Sequence, residues 1–188
     1  MTARAPRLSL STHLQSTKAP WTSLLVLKAG QRPESLVDVP DGFLLKILKG
    51  GKCRTPSGLF AEFAQVLKFP DYFGENWDAL EECLADLEWL PAKGYVLLFT
   101  DAEKILPDDE EDFATFLEVM SDAGEAWGAG IEGKRPKPFH VFLAVAGEAK
   151  SKRPHWEIEP IALQPSKESE GRREASTTSH SQKAKKRS

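Results

Sequence analysis

Residues 69–99 read FPDYFGENWDALEECLADLEWLPAKGYVLLF, and they hold a loop, a helix and a strand in one stretch. Asn76 is a good N-cap, because its side-chain oxygen can satisfy an N–H that the first helical turn leaves free. Behind it Trp77, Leu80, Leu84 and Leu87 recur at helical spacing and predict an amphipathic helix with a single apolar stripe. Pro91 and Gly94 close that pattern. Residues 95–99 (YVLLF) form a short apolar run bounded by turn residues, which predicts a buried strand.

The same signals continue in both directions. Residues 43–48 (FLLKIL) lie between Asp41-Gly42 and Gly50-Gly51 and predict a strand. Thr55-Pro56-Ser57 offers a helix start, Leu59, Phe60, Phe63, Val66 and Leu67 follow at helical spacing, and Pro70 stops the pattern. Residues 101–106 allow one helical turn before Pro107. The acids from Asp108 to Asp112 suit the positive end of a longer helix, whose stripe is Phe113, Phe116, Leu117, Met120, Ala123 and Trp127. Residues 139–145 (FHVFLAV) read as the last strand. Parallel neighbours need a crossover, so this order predicts an α/β fold: a three-stranded, mostly parallel sheet packed with about three to four helices. Trp21 and residues 24–27 would supply an extra strand at the sheet edge.

A chain of 188 residues with 40% hydrophobic content holds one ordinary domain with a real core, plus some tail. Residues 1–20 are expected to be a flexible amino-terminal segment, 21–147 the folded domain and 148–188 a disordered basic tail. Beyond Ile161 the apolar residues nearly vanish, and the chain ends near the run KAKKR at 183–187. Cys53 and Cys83 form neither a disulfide framework nor a CxxC pair and are expected as small core residues in a reducing compartment. No apolar stretch has the length of a membrane span and no signal segment is visible, so a cytoplasmic protein is expected.

The formal net charge of −3 hides an asymmetry. Residues 1–147 carry 15 Lys/Arg against 22 Asp/Glu, whereas residues 148–188 carry 10 against 6. Between Asp71 and Glu125, 17 acids face only Lys93 and Lys104. Such a field repels nucleic acid and attracts basic proteins; only the basic tail offers weak nucleic-acid contact.

Nothing in the sequence assembles an enzyme. His13, His140 and His155 are scattered, no glycine loop has phosphate-binding spacing, and the acids at 108–112 lack the alternation of a calcium loop. No cofactor or metal is expected. The helix after Asn76 is more informative: Asp78, Glu82 and Asp86 fall at i, i+4 and i+8, Glu81 lies beside that row, and Asp71 and Glu75 precede it. Like charges so spaced repel. Two readings stay open on this ground, the ordinary acidity of an acidic protein and a preformed anionic surface for a cationic partner.

The run Phe69-Pro70-Asp71-Tyr72-Phe73-Gly74-Glu75-Asn76-Trp77-Asp78-Ala79-Leu80 closely resembles the signature of the barstar family, intracellular inhibitors of barnase-like ribonucleases, and the resemblance extends over roughly residues 42–146. It implies that the chain acts as an immunity-type protein, binding a small basic extracellular-type ribonuclease one to one and otherwise monomeric. The inhibitor's helix and preceding loop would plug the nuclease active site, with carboxylates where RNA phosphates otherwise sit. By position, Tyr72 would stack at the catalytic histidine, Gly74 and Asn76 would shape the loop, and Asp78 and Glu82 would meet the phosphate-binding groups. Asp122 aligns with a peripheral acidic contact. Compared with the best-known member, Glu81 and Leu87 replace tryptophans, and Glu82 is one methylene longer than the Asp of that position. The competing expectation is an acidic adaptor for some other basic protein.

Overall fold

Thr55 and Asn76 begin the two helices that the sequence places between its strands, each by the same device. The Thr55 hydroxyl accepts the Gly58 N–H at 3.2 Å, and the Asn76 Oδ1 accepts the Ala79 N–H at 2.8 Å. In the computed structural model, which describes residues 10–130, 135–147, 156, 158, 160 and 161, the elements run α1 (Leu10–Leu14), β1 (Thr22–Leu27), β2 (Phe43–Lys49), α2 (Pro56–Leu67), α3 (Trp77–Asp86), β3 (Gly94–Thr100), α4 (Glu110–Ala129) and β4 (Phe139–Ala146). Single 3₁₀ turns stand at Pro33–Ser35, Gly50–Lys52 and Ala102–Lys104.

The sheet has four strands in the order β1-β4-β3-β2, and every pairing is parallel. The fourth strand is the amino-terminal one expected as an edge addition, with Leu24 in register with Leu143 of β4. β3 and β4 are buried along nearly their whole length, as parallel strands covered on both faces must be. On one face Leu24, Leu97, Phe99, Val141 and Leu143 meet the helical layer of α2, α3 and α4. On the other, Leu25, Val96, Leu98, Phe142 and Ala144 meet Leu14, Leu36 and Val37.

That second layer revises the expected boundaries. Residues 10–20, grouped from the sequence with a flexible segment, carry Leu14 and His13 into the protein, where both are buried. The next residue is a further anchor: the Trp21 ring lies over Gly124 and Gly128 of α4, where a side chain would collide with it. Past residue 147, Trp156 stacks on Phe113 with ring centroids 4.8 Å apart, and the Ile161 N–H donates to Leu24 O at 2.9 Å. Averaged composition hid these few apolar residues among charged neighbours, although each buries enough area to fix its stretch of chain. The basic run at 183–187, like residues 1–9, lies outside the described residues.

Two local readings change. α3 ends at Asp86, so Leu87 is not its last helical turn but its cap, left-handed at φ 45° with its N–H bonded to Cys83 O. A non-glycine residue there costs about 1–2 kcal/mol, offset by burying the Leu87 side chain to 1% exposure. The histidines are not all scattered. The His13 and His140 rings meet at a tilt of 40° with centroids 4.7 Å apart, and a 3.0 Å hydrogen bond joins His140 Nε2 to the Ser16 carbonyl. His140 has no exposed surface. Burial, then the neighbouring His13, pushes its imidazole down to about 4, and burial lowers His13 as well.

Candidate functional site

The loop between α2 and α3 has few backbone hydrogen bonds of its own, among them Phe73 N–H to Pro70 O at 3.0 Å. Aromatic packing holds it from beneath. Phe69 and Phe73 meet edge to face at 4.9 Å, Phe73 reaches Phe60 at 6.3 Å, and Trp77 stands edge-on to Phe60 at 5.0 Å. Phe69 also packs against Phe63 and Trp89, and the Trp89 indole donates to Leu67 O at 2.9 Å. Each such pair adds about 0.5–1.5 kcal/mol beyond its buried area, so the loop is pinned by side chains rather than by backbone.

Tyr72 is left out of this cluster and stands 75% exposed. Of the aromatic pair, Phe73 is the packed member and Tyr72 the presented one. Its ring is open to solvent and makes no ring contact with the cluster beneath. Asn76 closes the loop: besides capping α3 it donates from Nδ2 to Gly74 O at 3.3 Å. Glu75, between them, takes a left-handed φ of 50°, and such backbone strain in a side-chain-bearing residue often accompanies functional loops.

Beyond Asn76, Leu80 and Leu84 are wholly buried, while Asp78, Glu81 and Glu82 are exposed. Among the described residues, no ion pair engages these three acids. Asp78 gains from the positive end of α3, whereas Glu82, a turn further on, has only like charges along its row. The acids also reach inward: the buried Cys83 thiol is raised by burial first, then by Asp86 and Glu82. Burial pushes Cys53 up to about 12, with Glu62 adding to the effect. Neither thiol is therefore a nucleophile at neutral pH.

Tyr72, Gly74, Asn76, Asp78, Glu81 and Glu82 thus lie on one continuous exposed ridge of loop and helix. Asp122 is exposed too, but on α4, and among the described residues no hydrogen bond or ion pair links it to that ridge. Of the two positions where tryptophans are replaced, Glu81 faces solvent and Leu87 faces the core. The ridge is consequently more acidic and less aromatic than the resemblance alone implies. Sequence reading missed Asp112, which it treated as part of a solvated helix start. Its Oδ1 accepts the Trp77 indole N–H at 3.1 Å and ties α4 to the first residue of α3. An indole N–H at a helix start needs an acceptor, and that need was the available signal.

A hollow of about 560 Å³ lies away from the ridge residues, lined by Trp21, Leu117, Ser121, Glu125 and Ile158 among others, and no described His, Cys, Asp and Glu residues gather as a metal-binding group of three. Among the described residues no helix is long and apolar enough to cross a membrane. An exposed anionic ridge with one presented aromatic suits a cationic surface on another macromolecule.

No curated protein matches the chain. The family model described as Barstar (barnase inhibitor) matches residues 43–144, which run from the start of β2 almost to the end of β4 and enclose the whole ridge. With more than half its length matched, the chain belongs to the barstar family.

Proposed function

We propose that this protein inhibits a barnase-like ribonuclease by inserting the 72–82 ridge into the enzyme's active site. Members of its family are inhibitors rather than enzymes. The observation that carries the proposal is Tyr72, 75% exposed above a packed aromatic cluster and next to carboxylates that no cation among the described residues pairs with. A ribonuclease holds RNA phosphates with cationic groups, and Asp78 and Glu82 supply the anions those groups would otherwise take from substrate. Glu81 extends the anionic row and adjusts which enzyme fits. The complex is one to one, formed in the cytoplasm to protect the producing cell from its own secreted nuclease.

Because the ridge is already formed in the free protein, binding would cost little ordering entropy, and charge would steer the encounter. Purified protein titrated into a barnase-type ribonuclease should stop RNA cleavage at a one-to-one ratio. Asp78→Ala with Glu82→Ala should weaken inhibition by at least about a hundredfold, given the roughly 2–5 kcal/mol typical of truncating one member of a buried charged pair. Association should also slow as salt is raised. Undiminished inhibition by the double variant would remove the ridge from the mechanism.

A further inference from the structure

We infer that Asp112 is a positioning residue for the ridge, acting through the Trp77 indole; this role rests on the inhibitor function proposed above. Trp77 is the first residue of α3, between the cap Asn76 and the ridge acid Asp78. Its ring packs edge-on against Phe60 of α2 at 5.0 Å, and its N–H donates to Asp112 Oδ1 of α4 at 3.1 Å. One side chain therefore ties the start of α3 to both neighbouring helices. Ring packing alone tolerates sliding and rotation, whereas the N–H bond is directional and selects one orientation. The loop before Trp77 has few backbone bonds and a left-handed residue at Glu75, so its position follows that of the α3 start.

The first turn of α4 favours an acid at 112 but does not fix where its carboxylate points. The α4 cap is made without its carboxylate, because Asp109 accepts the Asp112 backbone N–H at 2.9 Å. A half-buried carboxylate beside Glu110 and Glu111, and across from an acidic α3, is electrostatically unfavourable. What it supplies is an acceptor oxygen where the start of α3 meets α4. A neutral acceptor of the same shape would serve equally.

Three variants test this: Asp112→Ala, Asp112→Asn and Trp77→Phe. Two readouts are needed, amide hydrogen exchange of residues 72–79 in the free protein and dissociation from a barnase-type ribonuclease. Asp112→Ala and Trp77→Phe should each speed exchange across 72–79 and accelerate dissociation by roughly tenfold, the size expected for losing one well-made hydrogen bond. Asp112→Asn, which keeps the acceptor and removes the charge, should restore both. Exchange at the wild-type rate in Asp112→Ala would overturn the role, and so would an Asn variant as impaired as the Ala variant, since charge alone would then be the cause. Should the wild-type protein bind no ribonuclease, the inhibitor function fails, while the exchange measurements still decide whether Asp112 orders the ridge.

Discussion

Lowering the pH from 7.5 to 4.5 should remove about 2–3 kcal/mol of stability through His140 alone. The imidazole has no exposed surface, lies 4.7 Å from the His13 ring and is hydrogen-bonded to the Ser16 carbonyl. Its ordinary value of 6.5 falls to about 4 in the folded protein. Above pH 6.5 the ring is neutral in both folded and unfolded chains, and stability is unaffected. Below it the unfolded chain takes up a proton that the folded protein refuses, so stability falls until about pH 4, where the folded protein protonates as well. At about 1.4 kcal/mol for each pH unit the full loss is about 3 kcal/mol, most of it already gone at pH 4.5. His13, also lowered by burial, adds in the same direction. Urea unfolding followed by tryptophan fluorescence at both pH values measures the loss in the wild type and in His140→Leu, which cancels the titration of surface carboxylates. The variant should be less stable at pH 7.5, because the Ser16 carbonyl loses its donor, yet lose about 2–3 kcal/mol less than the wild type on acidification. Parallel losses in the two proteins would refute the reasoning.

Two further substitutions probe the scaffold. Glu62 is buried, accepts the Lys49 N–H at 2.9 Å and pairs with Lys52 Nζ at 2.9 Å; Glu62→Ala should therefore cost about 2–4 kcal/mol in urea unfolding, and Glu62→Gln, which keeps an acceptor, distinctly less. Gly124→Ala places a methyl group against the Trp21 ring and should cost about 1–3 kcal/mol. Trp21→Ala should make that second change nearly free, a coupling that a double-mutant cycle on thermal or urea unfolding would measure.

Helices α2, α3 and α4 and three of the strands were legible because each rests on neighbouring residues. Caps at Thr55 and Asn76, the apolar period behind them, and the uninterrupted runs of β3 and β4 are local signals, and each lies within a residue or two of its predicted place. The ridge was legible for the same reason, since Tyr72, Asp78, Glu81 and Glu82 follow one another through a loop and two helical turns. The sequence alone therefore determined the α/β class, the inward stripe of α3 and the acidity of its outer face. Tertiary structure decided what depends on partners far apart in the chain. Leu14 is buried by strands more than eighty residues later, His13 meets His140 across 127 positions, and Asp112 reaches Trp77 across 35. Local composition counts residues 10–20 as polar and Asp112 as one acid among five, because periodicity carries no information about which distant surface a side chain meets. Packing also sorted the aromatic pair at 72–73, burying Phe73 among Phe60 and Phe69 and leaving Tyr72 in water, since only one ring of two neighbours can face the cluster beneath the loop.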